Sequence, residues 1–293
     1  MLGGVSPLDF ALVDVFADEP LSGNPLAVVA GGEALSDDVL ARVAREFNQS
    51  ETTFVMPSPA GATRRLRSFT AGGAEVTGAG HNSLGAWWWL VAGGRERAGA
   101  LSQELGADVL DVDVQDRDGR IVVRLRQAPA ALGAIADVGA ELAQALGLTR
   151  DEVVGGTAPV VSTGTPHLLV EAADPAAVDR AGPDAPALAA QLARVGAQGC
   201  YLFALTERAG ADAYARFFNP TVGLWEDPAT GSAACPLAWT LAHEGGRRTV
   251  TIEQGHAMGR PSRIEVEVDG DEVTLVGSAV LVAEGRLELT GSS

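Results

Sequence analysis

Lysine is missing from this chain, and all 21 of its positive side chains are arginine. An internal Schiff base to pyridoxal phosphate, a lysine-dependent aldolase and a Walker A phosphate loop each need that amine. These three classes are excluded whatever the fold. Cysteine is scarce: Cys200 and Cys235 have no metal-ligand spacing, and one possible pair is no disulfide framework. No window reaches the run of about 18 apolar residues that a membrane span needs. The opening residues, MLGGVSPLDF, lack a basic start followed by an apolar stretch, so no secretory signal is expected. Positive charge is in deficit, and a formal net charge of −17 repels nucleic acid and anionic membrane surfaces. The tight basic clusters, Arg64–Arg65–Arg67 and Arg247–Arg248, read as solvated strand ends. The expectation is a soluble cytoplasmic protein with no nucleic-acid or membrane partner.

What is present is a repeat. The 293 residues, 46% of them apolar, suffice for one large domain or two of ordinary size. SGNPLAVV at 22–29 matches TGTPHLLV at 163–170, a spacing of 163 − 22 = 141. NQSETTFV at 48–55 matches AQGCYLFA at 197–204, each after a helical stretch. RSF at 67–69 and RFF at 216–218 open segments leading to EVTGAGHNSLGAWW (75–88) and EDPATGSAACPLAW (226–239). Laying Gly80 on Gly231 sets Glu75 on Glu226, Ala79 on Thr230, His81 on Ser232 and Trp88 on Trp239. A period of about half the chain means a duplicated domain and not a solenoid. The boundary is expected near 126–139, where strand-like alternation stops. That gives halves of 1–127 and 128–293, with a last strand near 281–290 that could return to the first.

Local patterns fit this division. FALVDVFA, LAVVA, TTFVM, IVVRLR, YLFAL, RIEVEV and EVTLVGSAVLV read as strands, and EVDGDEV (267–273) as a hairpin around Asp269–Gly270. Residues 36–47 read as a helix with Ser36 as N-cap and Asp37 and Asp38 in its first turn. LGAWWWLVA (84–92) and AACPLAWTLA (233–242) have no polar face, so each is expected as a helix buried on all sides. Pro236 is tolerable in a first turn, which places that helix start just after Gly231. Each half is then a sheet or barrel wrapped around one central helix, an α+β class.

The stretch GAGHNSLGA (78–86) admits several readings. A serine elbow needs G-x-S-x-G, and the first glycine is missing around Ser83. A G-x-G-x-x-G dinucleotide fingerprint from Gly78 ends on Ser83. A metal site would need partners for His81, and His167, His243 and His256 show no ligand spacing. A plain glycine turn with His81 as helix cap stays open. The repeat favours another reading: two helix starts, each presenting unpaired N–H groups, together suit a small carboxylate. His81, Asp227 and Ser232 would line that site.

SGNPLAVV, NQSETTFV, FTAGGAEVTGAGH and EDPATGSAACPLA together resemble the PhzF family, the phenazine-biosynthesis isomerase group, over essentially the whole chain. EDPATGSA is the most specific piece. The resemblance implies the diaminopimelate-epimerase-like fold: two pseudo-symmetric halves with the active site between them, and a homodimer. By motif, it implies a catalytic Glu51 after Ser50, with His81, Asp227 and Ser232. Backbone around Ser50, Gly80 and Gly231 would grip the substrate carboxylate, with Asn82 and Thr230 as further candidate contacts. It implies no cofactor and no metal. The family's type reaction isomerises trans-2,3-dihydro-3-hydroxyanthranilate by proton transfer at carbon. A carboxylate base does this when desolvation lifts its pKa toward the working pH.

The chain departs from the family's usual L-P-F-A-G-H-P run, carrying Gly78 for the aromatic and Asn82 for the proline. A more open pocket wall and a different substrate are expected. Thiol-dependent relatives use a pair of cysteines at the two helix starts. Here Ala79 and Asp227–Pro228 stand there, and Cys235 is assigned to the core. A lyase or epimerase on the same scaffold, or a binding protein without chemistry, are the alternatives.

Overall fold

The two stretches without a polar face are helices, and each is enclosed by strands of its own unit. The structure, a computed structural model, describes residues 6–78, 80–222, 224–245 and 249–289. Ala79 and the Arg247–Arg248 cluster lie outside the described residues. The chain divides into two compact units: one runs through Leu125 and resumes at Gly277, and the other is Arg126–Val276.

The first unit contains β1 (Leu8–Val15), β2 (Asn24–Ala30), α1 (Asp37–Phe47), β3 (Glu51–Met56), β4 (Arg64–Thr70), β5 (Glu75–Val76), α2 (His81–Ala92), β6 (Gly99–Leu105), β7 (Asp108–Arg117) and β8 (Arg120–Arg126). The second contains β9 (Ala131–Asp137), α3 (Ala140–Ala145), β10 (Thr157–Ser162), β11 (Pro166–Glu171), α4 (Pro175–Arg180), α5 (Ala185–Val195), β12 (Gly199–Leu205), β13 (Ala213–Asn219), β14 (Leu224–Asp227), α6 (Gly231–Gly245), β15 (Thr249–Gln254), β16 (Ser262–Asp269) and β17 (Glu272–Gly277). A final strand, β18 (Ala279–Leu287), pairs antiparallel with β1.

The duplication is written in the pairings. In the first unit β18, β1 and β2 are antiparallel neighbours, β2 runs parallel to β3, and β3 is antiparallel to β4. β4 then takes β5 antiparallel and β6 parallel, and β6, β7 and β8 continue antiparallel. In the second unit β9, β10 and β11 are antiparallel, β11 runs parallel to β12, and β12 is antiparallel to β13. β13 takes β14 antiparallel and β15 parallel, and β15, β16 and β17 continue antiparallel. Every step of one scheme has its counterpart in the other.

Inside these strands, α2 packs on β1, β2, β3, β7 and β18, and α6 on β10, β11, β15 and β16. Leu84, Ala86 and Trp87 of α2, and Ala233, Ala234, Cys235, Leu237 and Ala238 of α6, are fully buried. Helix and strand approach closely where a glycine allows it. A Cβ on Gly85 would stand 2.7 Å from both Leu26 and Val15, and one on Gly231 would stand 2.6 Å from Leu275.

The aligned arginine and glutamate form the same ion pair in each unit. Arg67 Nε and Nη2 donate to Glu75 Oε1 and Oε2 at 2.7 Å. Arg216 Nε and Nη2 donate to Glu226 Oε1 and Oε2 at 2.8 Å. Arg67 lies over Phe69 and Arg216 over Phe218, the aligned aromatics. The remaining members of the first basic cluster are paired too, Arg64 with Glu96 at 2.5 Å and Arg65 with Glu104 at 3.3 Å.

Several local readings need correction. Residues 126–139 hold a strand, β9, hidden from sequence because it is largely exposed and rich in alanine, so no alternation marks it. EVTLVGSAVLV is two strands meeting at Ser278, and Gly277 beside it sits where a Cβ would be 2.8 Å from Leu84 and Phe16. The hairpin loop is Gly270–Asp271, one residue later than read, with Gly270 at φ +61°. Ser36 occupies the N-cap position of α1 without a side-chain capping bond. Pro236 is the sixth residue of α6, past the first turn. Its missing N–H removes the bond to the Ser232 carbonyl, and tertiary burial of this helix outweighs that loss.

The two matched ion pairs predict unequal costs. Both side chains of Arg216–Glu226 are at least nine-tenths buried, and Arg216 Nη1 also donates to the carbonyls of Val178, Asp179 and Ala181. Glu75 keeps 38% of its side-chain surface. Arg216→Ala is expected to cost about 3–5 kcal/mol in urea unfolding, and Arg67→Ala about 1 kcal/mol.

Candidate active site

In the first unit the chemistry gathers at the start of α2. Glu51 opens β3, held in register by Leu26 of β2 on one side and Thr70 of β4 on the other. Its carboxylate Oε2 comes within 3.0 Å of Nε2 of His81, the first residue of α2. Glu51 keeps 21% of its side-chain surface and His81 11%. The carboxylate is therefore desolvated without being sealed, and burial raises its pKa from 4.5 to about 7. A carboxyl group in that range is divided between acid and base near neutral pH, which suits it to take and return a proton. Ser50 is half-buried in the turn that delivers Glu51.

Gly80 is the N-cap of α2, so His81 begins the helix and does not cap it. Asn82 has a task that the sequence did not reveal. Its Oδ1 accepts from Gly80 N at 2.9 Å, and its Nδ2 donates to Gly78 O at 2.9 Å and Ser68 Oγ at 3.1 Å. With 3% exposure, Asn82 ties down the glycine turn from within. The Gly80 N–H is likewise spent on Asn82, while the later first-turn amides have no partner within the helix. A Cβ on Gly78 would meet nothing within 4 Å, so this exposed wall is open.

In the second unit the matching segment is built around Asp227, the last residue of β14, and Thr230. The Thr230 hydroxyl donates to Asp227 Oδ2, and its carbonyl accepts from Ala233 N and Ala234 N as the cap of α6. Gln254 at the end of β15 locks the segment. Its Nε2 donates to Asp227 O at 2.7 Å and Thr230 Oγ1 at 3.1 Å, and its Oε1 accepts from Thr230 N at 3.2 Å and Tyr201 Oη at 2.9 Å. Gly231 starts the helix against Leu275. Ser232 Oγ lies 3.2 Å from Nε2 of His167.

Within its unit, then, the structure joins Glu51 to His81, Asp227 to Thr230, and Ser232 to a histidine that spacing had set aside. Gln254 and His167 escaped sequence reasoning. For His167 a signal existed: it occupies the repeat position of Leu26, and a buried polar residue replacing an apolar one asks for a reason.

The sequence pattern of the family described as Phenazine biosynthesis-like protein, PhzC-PhzF, matches residues 13–285. The chain belongs to the PhzC-PhzF family. A relative from Pseudomonas aeruginosa, named trans-2,3-dihydro-3-hydroxyanthranilate isomerase, is 34% identical over 292 residues, covering 96% of this chain and 99% of the relative. A solved PhzF-family protein of Bacillus anthracis superposes with a TM-score of 0.86 at 23% identity, covering 97% of this chain and 100% of that one. A hydroxyproline epimerase from Agrobacterium vitis follows at 0.62 and 15% identity, covering 96% and 92%. The two superpositions show the epimerase-like fold. Like its curated relatives, which are named isomerases, this PhzF-family chain is an isomerase.

Two-thiol chemistry finds no support in the PhzF frame here. Cys200 and Cys235 are fully buried, and burial pushes the Cys200 thiol up to about 12 and the Cys235 thiol higher still. Neither is an ionised nucleophile near neutrality.

The raised Glu51 pKa carries a stability cost. Below pH 4.5 the carboxyl is protonated in folded and unfolded chains alike; above about 7 the fold must hold a charge that burial opposes. Glu51→Gln is therefore expected to stabilise the protein by about 1–3 kcal/mol at pH 8, with the gain fading between pH 7 and 4.5 in denaturant titrations.

Proposed function

We infer that this chain is a cofactor-independent isomerase that moves a proton between two carbons of a small, conjugated, carboxylate-bearing substrate. Glu51 takes the proton from one carbon and returns it at another, so atoms balance and no redox partner enters. The observation that carries this reading is the Glu51 carboxyl, poised near pH 7 and set 3.0 Å from His81. A base with a pKa close to the operating pH removes and returns carbon-bound protons most effectively. His81 is assigned to orient or share that proton. Asp227 and Ser232 take the roles their motif suggests, the aspartate handling a second proton and the serine contacting the carboxylate, with Ser50, Thr230 and Gly231 supporting them. Fixed N–H groups at a helix start favour the carboxylate and any negative charge that develops on the conjugated system.

The name of the Pseudomonas aeruginosa relative makes trans-2,3-dihydro-3-hydroxyanthranilate the first substrate to try. The open wall at Gly78 favours a bulkier ring or substituent over that compound. The same reading carries a cytoplasmic homodimer, which sedimentation and fractionation check.

Deuterium incorporation from heavy water, followed by NMR, tests the assignment of the base. Glu51→Gln is expected to lower exchange and turnover by about 10²–10⁴-fold. Undiminished exchange in that variant would sink the reading. In the wild type kcat/KM rises with pH through a limb near 7, as Glu51 ionises, and a flat profile across that limb counts equally against it.

A further inference from the structure

His167 is the one buried histidine among the described residues of the second unit, and the proton transfer assigned to Glu51 leaves it without a task. It lies on β11 with 2% exposure, and its ring stands at 87° to that of Phe217 with centroids 5.0 Å apart. Gly199 makes room for this packing, since a Cβ there would come within 2.4 Å of the Phe217 ring and 3.2 Å of His167 Nδ1. The two ring nitrogens differ sharply. Nε2 faces Ser232 Oγ at 3.2 Å, whereas Nδ1 is buried with no hydrogen-bond partner among the described residues.

That asymmetry selects a tautomer. A neutral imidazole carries one N–H and one lone pair. With the proton on Nδ1, a buried donor would have no acceptor, the rarer and costlier kind of orphan. With the proton on Nε2, the donor meets Ser232 and only a lone pair is left bare. Protonating both nitrogens would bury a charge, and burial holds the His167 pKa down at about 4. The serine hydroxyl has a single proton; once its oxygen accepts from His167, that proton must point elsewhere.

We propose that His167 is a positioning residue: its Nε2–H donates to Ser232 Oγ and so turns the serine's own proton outward, as a donor to a bound carboxylate. This rests on the isomerase reading for the identity of the anion, but not for the hydrogen bond itself. In the first unit the repeat position is Leu26, so the device belongs to one copy of the duplicated frame. It makes the second helix start a fixed donor, where a free serine could equally accept and repel an anion.

Two measurements test it. The chain has four histidines, so long-range proton–nitrogen correlation of the ¹⁵N-histidine protein resolves each ring, with His167→Gln identifying the signal. The expected result is a neutral ring protonated on Nε2 at neutral pH. A ring protonated on Nδ1, or on both nitrogens, overturns the proposal. Calorimetry with 3-hydroxyanthranilate, an aromatic carboxylate with no proton to transfer, gives the second readout. His167→Leu is expected to weaken binding about tenfold, and His167→Gln, whose amide N–H reaches the same place, to stay within about threefold of wild type. Equal binding by the leucine variant and wild type overturns the proposal. If the variants fail to fold, the tautomer of the wild-type ring still decides. If the wild type itself does not take up 3-hydroxyanthranilate, the carboxylate ligand of Ser232 falls with the conjugated-carboxylate substrate inferred above, while the tautomer separately decides the His167–Ser232 bond.

Discussion

A helix with no polar face can exist in water only if something covers it on every side, and most of the architecture follows from meeting that demand twice. Around α2 the cover is β1, β2, β3, β7 and β18; around α6 it is β10, β11, β15 and β16. Strands can close that tightly only where side chains are absent, which is why Gly85 and Gly231 stand at contacts too short for a Cβ. The ends of such a helix are the exception to its apolar character. Its first-turn amides have no partners within the helix and must meet polar atoms. Glycine turns, Asn82, Thr230 and Gln254 settle part of that demand, and the residues with chemistry collect around the remainder.

Much of this was legible because it repeats or because it is extreme. The Arg67–Glu75 and Arg216–Glu226 pairs were aligned as letters before they were pairs in space. The central helices announced themselves by lacking any polar stripe. What stayed hidden depended on contacts distant in sequence. The hold that Asn82 has on the glycine turn shows only in its bonds to Gly78, Gly80 and Ser68. Gln254 lies 24 residues from Thr230, and no motif joins them. Strand β9 escaped because an exposed alanine-rich segment carries no periodic signal, and Pro236 because tertiary burial overrode a local rule.

The two copies have kept one scaffold and parted in their chemistry. At the first helix start a titrating carboxyl, Glu51, stands beside an imidazole. At the second, Ser232 faces a histidine that burial keeps neutral, and the repeat partner of Glu51 is Cys200, a thiol that burial keeps protonated. One copy carries a carboxyl that titrates near neutral pH; in the other, His167 and Cys200 stay neutral there. A duplicated fold can divide work in this way because the strands specify where a side chain stands, while its neighbours specify what charge it carries.

The pairing of β18 with β1 also orders events during synthesis. The second unit is continuous in sequence, and its last strand, β17, ends at Gly277. The first unit is not, because β1 at Leu8–Val15 takes its outer neighbour from Ala279–Leu287. As the chain leaves the ribosome, the unit that begins first is completed last, with one edge of β1 unpaired until residues 279–287 emerge. An unpaired edge is a template for any passing strand. The interval between those two moments is the one in which a nascent chain of this design most needs protection.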